Sequence, residues 1–351
     1  MEKATILGLM SGTSLDGLDL CLVNFEQVDN QYQFQILETK SVQYSAEMQQ
    51  ELRDSVQLKA EGLKKLDIKI GIYFAQEVNS FIKQFGIKPQ YIASHGHTVF
   101  HQPENGFTTQ IGNGNTLFSE TKIPVICDFR SLDVALGGQG APLVPIGDLY
   151  LFSQYAACIN FGGIANFSFQ QSSSRFAHDI CPVNMALSDL TVELNLPYDD
   201  QGKIARTGKV NKKLLDELNG LEFYKESGPK SLGVEWYRNH FKKLIKNSNI
   251  QLEDRLRTVI EHIAVQVSNA LTSLKNGEVL VTGGGVFNTF LIEILQSKVH
   301  QRLVVPSREL VEFKEALIFA FLGWLKVNSQ INVLKTVTGA SSNSCSGILI
   351  K

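Results

Sequence analysis

Each half of the chain contains the same local pattern: an apolar strand, a glycine-containing turn and a return strand. In the first half the strands are predicted at Ala4–Met10 and Leu18–Phe25, and the turn between them is rich in Gly, Ser, Thr and Asp. In the second half they are predicted at Ala156–Phe161 and Ile164–Phe169, joined by Gly162-Gly163. Because one plan occurs twice in a chain of 351 residues, we expect two related domains.

Further strands and helices follow each hairpin, which predicts an α/β fold with mixed sheets flanked by helices. Tyr32–Lys40 alternates as a third strand, and Val279–Val281 is a short apolar strand. Apolar residues at three- and four-residue spacing predict helices over about 46–85 and at Lys314–Val327.

The segment Arg130–Pro145 is dense in Gly, Pro and small polar residues, which indicates a loop and a hinge region. We therefore expect a first domain at 1–130 and a second at 131–351. The last segment, about 315–351, is expected to pack back on the first domain.

Charge and cysteine content narrow the class of protein. A formal net charge of -2 argues against a general affinity for nucleic acid or for an anionic membrane surface. No stretch approaches the roughly 20 apolar residues of a membrane helix, and the start of the chain shows no signal-peptide pattern. Five dispersed cysteines without a C-x-x-C pair fit reduced thiols, so we expect a cytoplasmic protein.

The turn within Gly8–Asp19 has the composition of an anion site. Its glycines let backbone amides approach a phosphate, and Thr13 and Ser14 add hydroxyl donors. Asp16 and Asp19 could hold Mg²⁺, which binds few carboxylates and keeps several waters. A tight hairpin that uses Gly and Asp only for turn geometry explains the same residues, and both interpretations stay open here. The turn is not a P-loop, because no Gly-Lys-Ser/Thr follows it.

Two more glycine turns lie in the second half. Asn160–Asn166 repeats the strand–turn–strand pattern, and two such turns could hold a triphosphate from both sides. Thr282–Asn288 lies between a predicted strand and a predicted helix and resembles a dinucleotide fingerprint. Asn288 occupies the place of the third glycine, which disfavours a Rossmann oxidoreductase and favours contact with a nucleotide base or ribose.

Asp179 and Arg130 are candidate catalytic residues. Asp179 ends a predicted strand just before a helix, where it could act as a general base. A helix-capping or structural aspartate is the alternative. Arg130 follows another strand and could balance the charge of Asp179 or of a bound anion. The glycine density of Gly137–Pro142 suggests a loop that lies against a ligand.

His95, His97 and His101 form a His-x-His-x-x-x-His pattern, which can indicate a metal site. Only Glu104 stands nearby as a further ligand. We therefore favour histidines that line a substrate or donate hydrogen bonds over a zinc site.

Taken in order, ten segments resemble the motifs of the 1,6-anhydro-N-acetylmuramic acid kinase family, bacterial enzymes of cell-wall recycling. Each motif is weak alone, but the ordered set is specific and spans nearly the whole chain. The segments are Met10–Asp19, Ser94–Thr98, Gln110–Gly112, Asp128–Arg130, Gly137–Pro145, Asn160–Asn166, Gly228–Ser231, Thr282–Asn288, Glu315-Ala316 and Val337–Ala340.

The resemblance implies a two-domain, actin-like (ribonuclease H-like) fold of the actin/hexokinase/Hsp70 superfamily, with a central cleft between the domains. It implies ATP and Mg²⁺ as cofactors and an anhydro-sugar as substrate. The implied reaction joins hydrolysis to phosphorylation. The aspartate matched by Asp179 deprotonates a water that opens the 1,6-anhydro bridge, and O6 then attacks the γ-phosphate of ATP. The products are N-acetylmuramic acid 6-phosphate and ADP.

Carried onto this sequence, the resemblance assigns roles residue by residue. Asp179 and Arg130 are expected to be catalytic, and Asp16 and Asp19 to hold Mg²⁺. The residues expected to bind the sugar are His95, His97, Gln139 and Asn184. The residues expected to bind nucleotide are Gly12, Thr13, Ser14, Leu15, Asp16, Gly17, Leu18, Asp19, Asn160, Gly162, Gly163, Gly283, Gly284, Gly285 and Asn288.

Three positions depart from the family pattern. Cys181-Pro182-Val183-Asn184 replaces a usual Gly-Pro-Gly-Asn, which could change how the backbone meets the sugar. Asn113 stands where the family commonly has an aspartate, and Phe161 replaces a more usual leucine. A non-catalytic nucleotide or sugar sensor on the same fold, and a kinase for a related sugar, therefore remain as alternatives. A homodimer is the expected assembly.

Overall fold

The chain folds into two compact units, each built around one mixed β-sheet. One unit comprises Met1–Leu151 with Phe313–Lys351, and the other comprises Phe152–Glu312. The computed structural model describes residues 3–29, 31–172, 174–226, 230–246, 249–272, 274 and 277–351.

The strands and helices occur in the following order along the chain. The strands are β1 Ala4–Ser11, β2 Gly17–Val28, β3 Gln31–Gln43, β4 Tyr91–Gln102, β5 Phe107–Ile111, β6 Val125–Cys127, β7 Ala157–Phe161, β8 Ile164–Gln171, β9 Ser174–Pro182, β10 Glu278–Thr282, β11 Arg302–Val304 and β12 Ile348–Ile350. The helices are α1 Ala46–Asp54, α2 Ala60–Phe85, α3 Gly114–Thr121, α4 Ser131–Ala135, α5 Pro145–Leu151, α6 Asn184–Thr191, α7 Lys203–Thr207, α8 Lys212–Asn219, α9 Val234–Trp236, α10 Lys242–Lys246, α11 Leu252–Leu271, α12 Thr289–Gln296, α13 Arg308–Val327 and α14 Lys335–Thr338.

The sheet of the first unit has the order β12-β6-β4-β1-β2-β3, with β5 added to β4. Strands β1, β2 and β3 form an antiparallel meander, whereas β4 and then β6 run parallel to β1. The last strand, β12, pairs antiparallel to β6 and brings the end of the chain into this sheet.

The sheet of the second unit repeats this plan with the order β11-β10-β7-β8-β9. Strands β7, β8 and β9 form the meander, and β10 and β11 continue parallel to β7. In both units a three-stranded meander is extended on its first strand by two parallel strands, which is the ribonuclease H-like arrangement of actin-like proteins. The predicted α/β class with mixed sheets is therefore confirmed, and the internal repeat seen in the sequence is the repeat of this topology.

Helix α2 shows why residues 46–85 were predicted to be helical. Its buried side chains include Leu66, Ile70, Phe74 and Val78, which recur every four residues and so lie on one face. The helix ends at Gly86, whose φ of 71° is the left-handed conformation that glycine adopts at helix C-termini. Phe74 is fully buried in the core of the first unit, and truncating such a side chain to alanine costs about 3–5 kcal/mol.

The segment Arg130–Pro145 is irregular over 136–144, as expected of a loop, but it does not separate the units. It begins with α4, and its remainder is fixed within the first unit by Asp133, which is fully buried. The carboxylate of Asp133 accepts hydrogen bonds from the amide of Gly140 at 2.8 Å and from the hydroxyl of Thr338 at 2.8 Å. The division of the chain therefore falls after Leu151 rather than after Arg130.

Two further observations concern the chain as described. None of the helices in the described ranges is both long enough and apolar enough to cross a membrane. Gly228 and Pro229, which begin the Gly-Pro-Lys-Ser motif, lie outside the described residues.

Candidate functional site

The first glycine turn joins β1 to β2 and is open to solvent. Thr13, Ser14 and Asp16 are exposed, and the turn is closed by the amide of Leu15 donating to the carbonyl of Gly12 at 3.3 Å. Leu15 has a φ of 63°, in the left-handed region, so the backbone here is tightly bent. The hydroxyls and the carboxylate of this turn are therefore available to a ligand.

The glycines of this turn serve different purposes. A Cβ on Gly17 would lie 2.2 Å from the carbonyl oxygen of Val42, so Gly17 is required by the close approach of β3. A Cβ on Gly12 would meet only Ser14, no closer than 3.4 Å, so packing does not require a glycine there. The close approach of β3 thus explains Gly17, whereas Gly12 has space for a side chain. Leu18, in β2, is fully buried in the core.

Asp16 and Asp19 lie on either side of the start of β2. Asp19 pairs across the sheet with Met10. Burial is the main cause of the raised pKa values of Tyr44 and Glu315, and the negative charge of Asp19 raises both pKa values further. In the described ranges, no three His, Cys, Asp or Glu side chains gather into a group that could hold a metal. Two carboxylates beside an exposed turn still fit Mg²⁺, which takes most of its ligands from water and phosphate.

His95, buried within β4, and Arg130, half-buried just after β6, form a hydrogen-bonded pair. Arg130 Nε and Nη2 lie 3.1 and 2.9 Å from His95 Nε2. Arginine can only donate, so Nε2 accepts and Nδ1 carries the proton that reaches the carbonyl of Gly96 at 2.9 Å. Burial and then the charge of Arg130 hold the pKa of His95 well below its ordinary value, so the ring is neutral.

Arg130 stays charged in this setting. Burial lowers its pKa from 12.5 to about 10, while Glu315 and Asp133 act in the opposite direction. A third guanidinium nitrogen, Nη1, donates to the carbonyl of Gly140 at 2.7 Å. The side chain is therefore held in place by His95 and by the glycine-rich segment after α4.

The other two histidines of the sequence pattern have separate partners. His97 Nδ1 lies 2.9 Å from Ser11 Oγ, which accepts a hydrogen bond from the hydroxyl of Tyr44 at 2.7 Å. Burial lowers the pKa of His97 to about 4. His101 Nδ1 lies 3.0 Å from the hydroxyl of Thr108. These contacts support the hydrogen-bonding interpretation of the three rings.

Glu315, in α13, was not among the predicted site residues. Its side chain reaches solvent, and partial desolvation by the surrounding protein raises its pKa. Arg130 and Lys314 oppose that rise in pKa. The Glu315-Ala316 pair was a motif of the family resemblance, but nothing in its local sequence indicated that the helix brings it near Arg130.

Two family motifs meet beside Gln139. The amide of Gln139 donates to the carbonyl of Thr338 at 2.8 Å, which joins the glycine-rich segment to the Val337–Ala340 motif. The side chain of Gln139 is exposed. The contact between these motifs joins residues 139 and 338 and has no local sequence signal.

In the second unit, the β7–β8 turn supports the start of α6. The amides of Val183 and Asn184 donate to the carbonyls of Gly163 and Gly162 at 2.8 and 3.2 Å. The side chain of Asn184 in turn donates to the carbonyl of Phe161 at 3.0 Å. Three predicted site residues are thus joined at one end of this sheet.

The glycines after β10 pack against the same turn. Gly283 has a φ of 83°, and a Cβ there would lie 2.6 Å from Asn160 Oδ1. A Cβ on Gly285 would lie 2.7 Å from the Cβ of Phe161, whereas one on Gly284 would meet nothing closer than 3.7 Å. Asn288, by contrast, caps α12, accepting from the amide of Leu291 at 3.0 Å.

Asp179 lies within β9, and its carboxylate is held at one oxygen. Oδ2 accepts from the amide of Leu232 at 2.8 Å and from the hydroxyl of Ser231 at 3.1 Å. Burial raises its pKa, while these two donors and the charge of His178 act in the opposite direction. The N-cap residue of α6 is Val183, so the side chain of Asp179 does not cap that helix.

Two departures from the family pattern, at Cys181–Asn184 and at Asn113, have a structural setting that explains them. Cys181 and Val183 are fully buried in the core of the second unit, so their side chains point away from solvent. Asn113 donates through Nδ2 to Asp67 at 2.9 Å and accepts from the amide of Thr116 at 3.0 Å, which caps α3. An aspartate at this position would bring a second carboxylate against Asp67.

Comparison with known proteins gives one consistent match. Residues 4–351 match the family described as anhydro-N-acetylmuramic acid kinase. The protein of that name from Vibrio vulnificus (strain YJ016) is 34% identical over 368 residues, covering 99% of this chain and 98% of the relative. The one from Sulfurimonas denitrificans is 31% identical, covering 98% of each chain. Among solved structures, an activator of 2-hydroxyisocaproyl-CoA dehydratase from Clostridium difficile gives a TM-score of 0.45 at 11% identity, covering 92% of this chain and 97% of that one.

Proposed function

Because the chain belongs to the anhydro-N-acetylmuramic acid kinase family, we propose that it is an ATP-dependent kinase of anhydro-N-acetylmuramic acid. Its products would be N-acetylmuramic acid 6-phosphate and ADP, in the recycling of cell-wall peptidoglycan. The observation that carries the proposal is the family match over residues 4–351. It makes the protein a phosphotransferase with an alcohol group as acceptor.

We propose that Asp179 is the general base of a hydrolytic ring opening. Its two hydrogen bonds from the described residues both end at Oδ2, which supports Oδ1 as the atom that takes a proton from water. The water oxygen bonds to the anomeric carbon as the bond from that carbon to O6 breaks. O6 keeps the electron pair and attacks the γ-phosphorus, and ADP leaves. A carboxylate with a raised pKa is a stronger base than an ordinary aspartate, which suits this step.

Nucleotide binding is proposed for the glycine turns of both units. The hydroxyls of the exposed Thr13 and Ser14, together with the backbone amides of the turn at Gly12, are suited to phosphate. Asp16 and Asp19 would hold Mg²⁺, which when bound would neutralise charge on the phosphates. The turn at Asn160–Gly163 would also bind phosphate, whereas Gly283–Gly285 and Asn288 would contact the base or ribose.

We assign the remaining residues to the sugar and the transferring group. Arg130 is charged and fixed by three hydrogen bonds, which suits an anionic group. His95 is buried, and its Nδ1 donates to the carbonyl of Gly96. We therefore propose two roles for it: to hold Arg130 in place and to contact the sugar. His97, Gln139 and Asn184 remain proposed sugar ligands.

The proposal is tested by a coupled assay of ADP release from ATP and Mg²⁺ with a small panel of anhydro-sugars. We expect turnover with anhydro-N-acetylmuramic acid and a 6-phosphosugar product by mass spectrometry. ATP binding without product at high enzyme concentration would favour a non-catalytic sensor. Faster turnover of another sugar would favour a related kinase. In H₂¹⁸O, hydrolytic opening places one ¹⁸O at the anomeric carbon, and its absence would reject the proposed base step.

Two properties of the protein in the cell accompany this proposal. We propose a homodimer, to be tested by light scattering coupled to size-exclusion chromatography. A cytoplasmic location is proposed from the dispersed cysteines and the intracellular supply of ATP. Fractionation of cells that produce the tagged protein would test it.

A further inference from the structure

Three buried polar side chains from different parts of the first sheet form one hydrogen-bonded chain beside the first glycine turn. Ser11 is the last residue of β1, His97 pairs with it from β4, and Tyr44 directly follows β3. All three residues are less than 5% exposed. The hydroxyl of Tyr44 lies 2.7 Å from Ser11 Oγ, which lies 2.9 Å from His97 Nδ1. Neither Ser11 nor Tyr44 was given a role in the proposed reaction.

The number of protons in this chain decides the direction of each hydrogen bond. Tyr44 has one hydroxyl proton, and within the described ranges Ser11 Oγ is the acceptor that it reaches. Ser11 also has one proton, which His97 Nδ1 can accept. If Nδ1 carried the ring proton and donated to Ser11, the hydroxyl proton of either Ser11 or Tyr44 would be buried without an acceptor. Leaving a buried donor unsatisfied is costly, so Tyr44 donates to Ser11 and Ser11 donates to His97.

This direction places the ring proton of His97 on Nε2. Burial lowers the pKa of His97 to about 4, so the ring is neutral and carries one proton near neutral pH. Burial also raises the pKa of Tyr44, which keeps its hydroxyl protonated and able to donate. Because Nδ1 accepts from Ser11, the proton of the neutral ring is on Nε2. A nitrogen in this state can donate a hydrogen bond but cannot take up a proton.

The Nε2 atom of His97 is open to a ligand. It forms no hydrogen bond within the described ranges, and it is not among the buried side-chain atoms left without a partner there. The ring lies at the carboxyl end of β1, where the glycine turn begins. Ligands of open α/β sheets bind at the carboxyl ends of strands. The Nε2–H group is therefore placed to donate to an oxygen of a bound ligand.

We infer that Tyr44 and Ser11 are positioning residues that hold His97 in its Nε2-protonated form, so that it donates a hydrogen bond to a ligand oxygen and does not act as a base. The inference rests on the proposed function for the identity of the ligand, in which His97 contacts the sugar. A phosphate oxygen of ATP is the same kind of acceptor, and the experiment below separates the two.

The protonation of the ring is measured by NMR of the protein labelled with ¹⁵N-histidine, without any ligand. The signal of His97 among the seven histidines is assigned by its loss in His97→Gln. We expect a protonated Nε2 and an unprotonated Nδ1. In Ser11→Ala, and to a smaller extent in Tyr44→Phe, the Nδ1 resonance should move toward that of a nitrogen without a donor. Tyr73→Phe removes a hydroxyl from a ring 5.7 Å from that of Tyr44 and should leave the resonance in place. A protonated Nδ1 in the unmodified protein would overturn the inference.

A titration of the same labelled protein identifies the ligand. One arm uses anhydro-N-acetylmuramic acid, and the other uses a non-hydrolysable ATP analogue with Mg²⁺. The Nε2 resonance should move in the sugar arm, and calorimetry should show about tenfold weaker binding of the sugar to Ser11→Ala, the effect of one lost hydrogen bond. Movement in the nucleotide arm instead would assign the donor to phosphate. An Nε2 resonance that moves in neither arm would overturn the inference. A ligand-responsive Nε2 in a protein that releases no ADP would retain the positioned donor and reject the proposed kinase.

Discussion

The two oxygens of Asp179 have different surroundings, and this difference bears on its proposed role. Oδ2 receives two hydrogen bonds from Ser231 and Leu232, more than fifty residues further along the chain. These bonds fix the orientation of the carboxylate through Oδ2, and neither donor occupies the lone pairs of Oδ1. Replacing Asp179 by asparagine keeps the shape and removes the base, so we expect kcat to fall about 10²- to 10⁴-fold. Titration calorimetry should show unchanged ATP affinity, and near-normal turnover would mean that another group is the base.

Ser231 offers a milder test of the same residue. Its hydroxyl lowers the pKa of Asp179 against the larger effect of burial. In Ser231→Ala that pKa should rise further, and the acid limb of the pH profile of kcat/KM should move to higher pH. The base works when deprotonated, which fixes the direction of this shift. Ser231→Thr keeps the hydroxyl and is the control. A loss of rate with an unmoved acid limb would contradict this account.

Gly283 and Gly284 are neighbours with different steric surroundings. A side chain at Gly283 would require a φ of 83° and would strike Asn160, whereas Gly284 has space. Gly283→Ala should therefore lower the free energy of unfolding by at least about 1–3 kcal/mol, the usual cost of a strained backbone. Gly284→Ala should change it far less. Urea denaturation of both variants would check this, and equal losses would disprove it.

At the scale of secondary-structure elements, the attachment of α3 to α2 depends on an amide and a carboxylate. Asn113 donates to Asp67, and Lys64 pairs with the same carboxylate at 2.7 Å. Asn113→Asp replaces the hydrogen bond by a repulsion between carboxylates and should cost about 1 kcal/mol of unfolding free energy.

The reciprocal change provides the control for this pair. In Asn113→Asp with Asp67→Asn, the donor and the acceptor exchange places, so most of the lost stability should return. A double-mutant cycle from denaturation curves measures the coupling directly. Two additive single effects would show that these side chains do not interact.

At the scale of the whole molecule, the two units differ in how the chain builds their cores. The core of Phe152–Glu312 comes from one continuous segment. The other unit needs α13, because Phe321 and Trp324 are fully buried and their rings lie 5.5 and 5.9 Å from that of Phe25. Losing one large core aromatic costs about 3–5 kcal/mol, a large share of the 5–15 kcal/mol that stabilises a typical protein.

We therefore expect different behaviour from the separate pieces. The fragment Phe152–Glu312 should unfold cooperatively on heating, as followed by circular dichroism, whereas Met1–Leu151 alone should not. Mixing Met1–Leu151 with the peptide Phe313–Lys351 should restore a cooperative transition. Cooperative unfolding of Met1–Leu151 by itself would contradict the dependence on α13.

The sequence by itself determined the features that depend on local spacing. Alternation and glycine placement indicated both hairpins, the helical period indicated α2, and the ordered motifs indicated the family. One of those motifs, Asp128–Arg130, contained Arg130, and the resemblance matched Asp179 to the family's aspartate. The domain boundary after Arg130 was misjudged, since Gly and Pro density marks irregular backbone and does not show which core that backbone packs on.

Only the tertiary structure decided which of these residues meet. It anchored Oδ2 of Asp179 on Ser231, made His95 a neutral partner of Arg130, and joined Asn113 to Asp67. It also joined Tyr44, Ser11 and His97 in one hydrogen-bonded chain, although they lie after β3, on β1 and on β4. Such contacts join residues far apart in sequence. They form because hydrophobic burial and many other interactions together stabilise the whole fold, and not because any one pair of residues is favourable. The spacing of apolar residues indicates whether a segment is a helix or a strand, but it does not indicate which other element that segment packs against. It therefore could not show these contacts.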